Sequence, residues 1–215
     1  MRAKAKRAIV LEAIILTAGE DVGPRVVAVI LAGGQGRRMG GVDKATVMLA
    51  GRPLFAHVAA RIGPQVARLA ISANGAALRF APIPVLPDPP QRRGEGPLAG
   101  LLSALDWAAE QGAERLLCVP VDTPFLPHDL VARLSGAGAA AYAASGGRDH
   151  PSVALCPVDD RARIAELFAS GERRLRAAFP DAAPVEFEGS PDPFTNLNTP
   201  EDLAAAAAHL AEATR

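Results

Sequence analysis

At 215 residues the chain is long enough for one sizeable domain built around one large core. Its 23 Lys plus Arg balance 23 Asp plus Glu, which leaves no net field to gather long nucleic acids or acidic membranes, so any anion is bound locally. Aromatic residues make up only 4% of the chain, so the core falls to Ala, Val, Leu and Ile, and there is little material for stacking bases.

Residues 1–25 begin with a basic stretch, MRAKAKR, that runs into AIVLEAIILTAG. Glu12 interrupts the apolar centre of this segment, and its length falls short of the roughly 20 residues that span a bilayer. It reads as an extension ahead of a domain over residues 26–215. The domain opens with VVAVIL, a continuous apolar run suited to a buried strand of a parallel sheet, and the run stops at Gly33, Gly34 and Gly36. Glycines in such a loop admit positive φ and bring backbone N–H groups up to an anion, and Arg37, Arg38 and Lys44 add fixed positive charge. The stretch describes a polyphosphate cradle. It is not a Walker loop, because Gly36 plus five is Gly41 followed by Val42 instead of Lys-Ser/Thr. Nor is it the dinucleotide fingerprint, because Met39 stands where the third glycine belongs.

Pro53 then opens a helix in which Leu54, Phe55, Val58 and Ile62 keep helical spacing. A second strand is expected over residues 66–73, ending at Asn74-Gly75, and a short third over residues 83–88, ending at Asp88. The loop PPQRRGEGPLAG leads to a helix marked by Leu98, Leu101, Leu102 and Leu105. LLCVPV, residues 116–121, is a strand that stops at Asp122. AAAYAA and SVALC give two more, with the polar loop Gly147-Arg148-Asp149-His150-Pro151 ahead of the second. IAELFAS and the segment after Gly171 read as helical. Thr199-Pro200-Glu201-Asp202 supplies an N-cap, a first-turn proline and two acids for a last alanine-rich helix.

This alternation implies a single-domain α/β fold, Rossmann-like, with a mostly parallel central sheet and helices on both faces. Ligands of such sheets bind beyond the carboxyl ends of the strands, where Gly33, Asn74, Asp88 and Asp122 all fall. A triphosphate on the glycine loop needs cations and ordinarily Mg²⁺, which takes one or two carboxylates plus phosphate oxygens; Asp122 is the candidate ligand, or else a turn-forming residue before Thr123-Pro124. Lys44 would stabilise charge on an attacked α-phosphate and Arg38 would hold the β and γ phosphates as they leave. A substrate phosphate can attack directly, so no protein nucleophile is required. His57 reads as a packed or solvated helix residue, and His150 as a structural part of its loop. Cys118 and Cys156 lie in apolar runs without metal-ligand spacing, as reduced core thiols of a cytoplasmic protein do.

The segment LAGGQGRRMGGVDK, followed in order by GPLAG (96–100), VPVDTPFLP (119–127), RDHP (148–151), GERR (171–174) and NLNTPEDL (196–203), resembles the signature of the molybdenum cofactor guanylyltransferase family of small nucleotidyltransferases. The resemblance covers about residues 26–210. It implies transfer of GMP from GTP to the terminal phosphate of molybdenum-loaded molybdopterin, with release of pyrophosphate and a requirement for Mg²⁺. By motif, Leu31, Ala32, Gly33 and Gly34 would contact the nucleotide, Lys44 its phosphates, Asn74 and Asp88 the guanosine part, and Asp122 the Mg²⁺. Asn196 and Asn198 fall where the pterin substrate is expected, and Arg148, Arg173 and Arg174 could grip its phosphate or be solvated surface charge. Related cytidylyltransferases carry LAAG and DIDTPED where this chain has LAGG and NLNTPED, which turns base choice towards guanine. The resemblance also implies molybdenum insertion proteins and molybdoenzyme chaperones as partners. A nucleotidyltransferase acting on sugar phosphates and a non-catalytic GTP-binding handover module are the other readings that this fold admits.

Overall fold

In a computed structural model the described residues are 25–33, 43–75 and 77–212. The expected extension, apart from Arg25, and the expected contacts of Gly34, Arg37 and Arg38 lie outside them.

The VVAVIL run forms β1, Val26–Leu31, and every one of its first five side chains is buried. Such complete burial follows from its place inside a seven-stranded sheet, with β4 (Arg68–Ser72) on one side and β6 (Arg115–Pro120) on the other, both parallel. β5 (Val85–Leu86) extends the sheet beyond β4, and β8 (Arg148–Pro157), β7 (Ala141–Ser145) and β9 (Ala183–Glu186) extend it beyond β6. Only β8 runs against its neighbours. From β1 the chain winds outward through β4 and β5 and then crosses to the far side of β1 with β6. Winding therefore reverses between β1 and β6, and the crevice outside their carboxyl ends is the ligand position of an open α/β sheet.

The sheet splits the core in two. Ala28 and Ile30 face one side, where α1 (Leu54–Ile62) and α3 (Leu130–Gly136) bring Phe55, Val58, Ile62, Leu130 and Leu134. Val27 and Val29 face the other, covered by Leu98, Leu101 and Leu105 of α2 (Pro97–Glu110) and by Ile164 of α4 (Arg161–Ala169). Alternation of strand side chains thus feeds two helical layers, and each Val, Leu or Ile buried contributes about 1.5–3 kcal/mol. α2 lies close enough that a Cβ at Gly100 would come 3.3 Å from Ser72 Oγ, which accounts for the second glycine of GPLAG. A third cluster joins Leu49, Leu54, Leu197 and Ala206. It fastens α5 (Pro200–Glu212) and the segment before it onto the hairpin of β2 (Met48–Leu49) and β3 (Arg52–Pro53).

Two expectations are corrected. RDHP is not a loop: Gly146 and Gly147, at φ 53° and 73°, make a two-residue turn, and Arg148 already pairs with Ser145. The segment after Gly171 does not form an α-helix; only Leu175–Ala178 takes a 3-10 turn. Glu172 Oε1 accepts from the backbone N–H groups of Arg173 and Arg174 at 2.8 and 2.9 Å, offering the backbone a local alternative to the helix. Those bonds, with the Arg174 guanidinium first, lower the Glu172 carboxyl to about 2.

Candidate nucleotide site

Three chain segments meet at the reversal point. β1 leads through Leu31, half-buried, and Ala32, buried, to exposed Gly33. Val121 N donates to Leu31 O at 3.1 Å and Ala32 N to Ser72 O at 2.9 Å, so the ladder continues past the strand ends and holds this exit rigidly between β6 and β4. Past β6, buried Thr123 folds its hydroxyl back to Pro120 O at 3.0 Å. The turn after β6 is made by Thr123, and the Asp122 carboxylate is left for other work.

That work starts with Lys44. Its ammonium lies 2.5 Å from Asp122 Oδ2 and 2.5 Å from Asn198 Oδ1, and the two charged side chains are only 15% and 18% exposed. Lys44 is aimed by its predecessor. Asp43 accepts from Ala45 N at 3.2 Å to start a one-turn 3-10 helix, Lys44–Thr46. Asn198 is aimed from two sides: Leu197 N donates to Asp122 O at 3.0 Å, and Asp202 Oδ2 accepts from Asn198 N and Thr199 N, both at 2.8 Å. Those two amides are the main cause holding the Asp202 carboxyl below its ordinary value. Thr199 Oγ1 accepts from Asp202 N at 3.1 Å in return, which completes a reciprocal cap at the start of α5.

Asn74 and Asp88 form a separate pair at the ends of β4 and β5. Asn74 Nδ2 donates to Asp88 Oδ2 at 2.9 Å and Asp88 N to Asn74 Oδ1 at 3.1 Å. Arg79 connects this pair to the cation: Nη2 donates to Asn74 O at 2.9 Å while Nε meets Asp43 Oδ2 at 2.8 Å. Of the residues expected from sequence, the structure therefore brings Lys44, Asp122 and Asn198 into contact, and Asn74 with Asp88. Asn196 is exposed nearby in the chain, whereas Arg173 pairs with Glu95 and Arg174 with Glu172. Asp43, Arg79 and Thr123 carry the site without having been singled out. Asp43 could have been found as the residue before Lys44, but Arg79 has no local signature.

Among the described residues no group of three or more His, Cys, Asp and Glu converges as a metal cage. Asp122 instead offers a single hard oxygen donor, with no hydrogen-bond partner for Oδ1 among the described residues. This suits an ion such as Mg²⁺, which completes its shell with substrate phosphates and water. An ammonium has three N–H donors, and among the described residues Lys44 gives two, to Asp122 and Asn198, which leaves a third for an anion. A cation held between a carboxylate and an amide at the mouth of the reversal point can steady charge that develops on a phosphorus centre.

A family model for the MobA-like NTP transferase domain matches residues 28–185. A molybdenum cofactor guanylyltransferase of Rhodobacter capsulatus is 55% identical over 183 residues, covering 85% of this chain and 95% of that one. One from Acidiphilium cryptum is 50% identical over 192 residues, with 86% and 96% covered. Among solved structures, molybdopterin-guanine dinucleotide biosynthesis protein A of Archaeoglobus fulgidus superposes with a TM-score of 0.66 at 23% identity, covering 87% of this chain and 99% of that one. A nucleotidyl transferase of Methanothermobacter reaches 0.70 at 17%, covering 89% and 100%, which speaks for the fold alone.

Proposed function

This chain belongs to the molybdenum cofactor guanylyltransferase family of MobA-like NTP transferases, and on that premise we propose that it transfers GMP from GTP to the terminal phosphate of molybdenum-loaded molybdopterin. One observation carries the proposal: Lys44 is within 2.5 Å of both Asp122 and Asn198, so the loops after β1 and β6 and the segment before α5 share one cation.

In this reading GTP lies with its base and ribose towards Asn74 and Asp88 and its phosphates on residues 31–44. An oxygen of the acceptor's terminal phosphate attacks the α-phosphorus of GTP, the bond from that phosphorus to the bridging oxygen of the β-phosphate breaks, and pyrophosphate leaves. Lys44 gives its third N–H to the α-phosphate as charge builds there, and Arg38 holds the departing β and γ phosphates. Asp122 would hold Mg²⁺, which when bound neutralises triphosphate charge. Leu31, Ala32, Gly33 and Gly34 supply backbone contacts to the nucleotide, and Asn196 and Asn198 face the pterin.

No helix among the described residues is long and apolar enough to cross a membrane. Cys118 and Cys156 are free and buried, and burial pushes both thiols up, Cys156 to about 12, so they are inert core residues. We place the reaction in the cytoplasm, where reduced thiols persist, with molybdenum insertion proteins supplying the acceptor and molybdoenzyme chaperones receiving the product.

The test is a competition assay. With molybdate-loaded molybdopterin and Mg²⁺, radiolabelled GTP should be consumed with stoichiometric pyrophosphate release, and chelation of the metal should stop it. Preferential use of CTP, acceptance only of sugar phosphates, or nucleotide binding without turnover would each replace the proposal.

A further inference from the structure

The segment bearing Asn196 and Asn198 is anchored at its start by three side chains outside the nucleotide site. Ser145 ends β7, His150 is the third residue of β8, and Asp192 opens the turn that carries Phe194. His150 Nε2 lies 2.8 Å from Ser145 Oγ, and Ser145 Oγ donates to Asp192 Oδ2, also at 2.8 Å. The other carboxylate oxygen accepts from Phe194 N at 2.8 Å, and Asp192 O accepts from Thr195 N at 3.1 Å. The His150 ring leans on Phe194 with centroids 5.0 Å apart, and Phe194 meets Phe187 edge-on.

A serine, a histidine and an aspartate in contact raise the question of a nucleophile triad, and their order excludes one. In a triad the imidazole stands between hydroxyl and carboxylate. Here the hydroxyl stands between the other two with its hydrogen committed to Asp192, and Ser145 is only 3% exposed. With that hydrogen committed, the imidazole has to donate Nε2–H to Oγ. The chain of donors moves no proton to a substrate; it fixes a geometry.

The geometry it fixes is that of the segment that follows. Leu197 N is bonded to Asp122 O, Asn198 touches Lys44, and Asp202 holds the amides of Asn198 and Thr199. Residues 192–202 are thus pinned at both ends, and exposed Asn196 lies on the span between. We propose that Ser145, His150 and Asp192 are positioning residues for the acceptor: through Asp192 and Phe194 they set where the Asn196 span stands relative to Lys44 and Asp122. This rests on the guanylyl-transfer reading above, and it adds that acceptor placement is controlled from β7 and β8.

The test uses the full chain with His150→Leu, which removes the donor, and His150→Gln, whose amide nitrogen reproduces it; Ser145→Ala reads the same quantities should the leucine variant fail to fold. His150→Leu should raise KM for the pterin acceptor about tenfold while kcat and KM for GTP stay within about threefold, because the far end of the span remains tied to Asp122 and Asp202. His150→Gln should restore the acceptor KM. Amide hydrogen exchange over residues 194–197, measured without substrates, should speed up in the leucine and alanine variants and not in the glutamine variant. Equal changes for GTP and acceptor, or leucine and glutamine variants that behave alike, overturn the positioning role. A wild-type enzyme that transfers no GMP overturns the reaction and the acceptor role together, whereas unaltered acceptor KM in an active background overturns the positioning role alone.

Discussion

Lys44 and Asp122 are 78 positions apart, and Lys44 and Asn198 are 154 apart, yet each pair is in direct contact. Lys44→Ala removes the donor that would meet the α-phosphate, so kcat should fall by about 10²–10³ in a steady-state pyrophosphate-release assay. Lys44→Arg should recover little, since a planar fork cannot occupy a point between Asp122 and Asn198 as a compact ammonium does. Near-normal turnover in Lys44→Ala would remove the residue from the chemistry. Asp122→Asn should lose activity to a similar degree and weaken the dependence of rate on Mg²⁺ concentration. Both stood out as candidates in the sequence, Asp122 because it ends an apolar run and Lys44 because it closes the glycine-rich basic motif. Asn198 was expected on the acceptor side, and its contact with Lys44 was not legible, since contact across the whole chain leaves no mark in local spacing. Arg79 was not legible at all: its role comes from β4 and the loop after β1 being neighbours, and nothing in its own neighbourhood announces that.

Elements with strong periodicity and punctuation were legible, and weakly patterned ones were not. β1, α2, β6 and α5 carry continuous apolar runs, leucines at helical spacing or a cap followed by proline, and the structure places them within a few residues of expectation. β2 and β3 contribute two residues each, too few for any period, and β9 contains Pro184 and alternates half-buried with exposed side chains. α3 is a seven-residue helix whose Leu130, Val131 and Leu134 are too few to register against the surrounding loop. The start of α5 provides a prediction at this scale. Thr199→Ala deletes the cap to Asp202 N and should cost about 1 kcal/mol in urea unfolding. Asp202 adds a pH dependence. Its carboxyl is lowered in the folded chain, so the stability it contributes is fully present above the unfolded value near pH 4 and is lost as pH falls through the lower folded value. The difference in unfolding midpoint between wild type and Asp202→Asn should be constant from about pH 5 to 7 and shrink below pH 4. A difference that grew on acidification would contradict the cap.

For the whole molecule, strands alternating with helices were enough to give a mostly parallel sheet, but not its order. That β8 would run antiparallel between β6 and β7 depends on Gly146 and Gly147 closing a tight hairpin, and an expectation of a longer polar loop there concealed it. The resulting order places the reversal beside β1, the strand buried on both faces and bonded on both edges. A ligand seated there touches segments attached to β1, β6 and α5 at once, so its binding energy acts on unfolding of the entire domain. At a hundred times its dissociation constant a ligand that binds only the folded state adds about 2.7 kcal/mol. For a domain of this size each kcal/mol moves the melting temperature by about 2–4 °C, so saturating GTP with Mg²⁺ should raise it by about 5–10 °C. The same concentration of CTP should give a much smaller shift if Asn74 and Asp88 select the guanosine part. Lys44→Ala should lose most of the GTP shift, measured against its own ligand-free melting temperature. Calorimetry with the two nucleotides and the two proteins decides it: equal shifts for GTP and CTP would detach base choice from the pair at the ends of β4 and β5, and an undiminished shift in Lys44→Ala would move the triphosphate away from the crevice between β1 and β6.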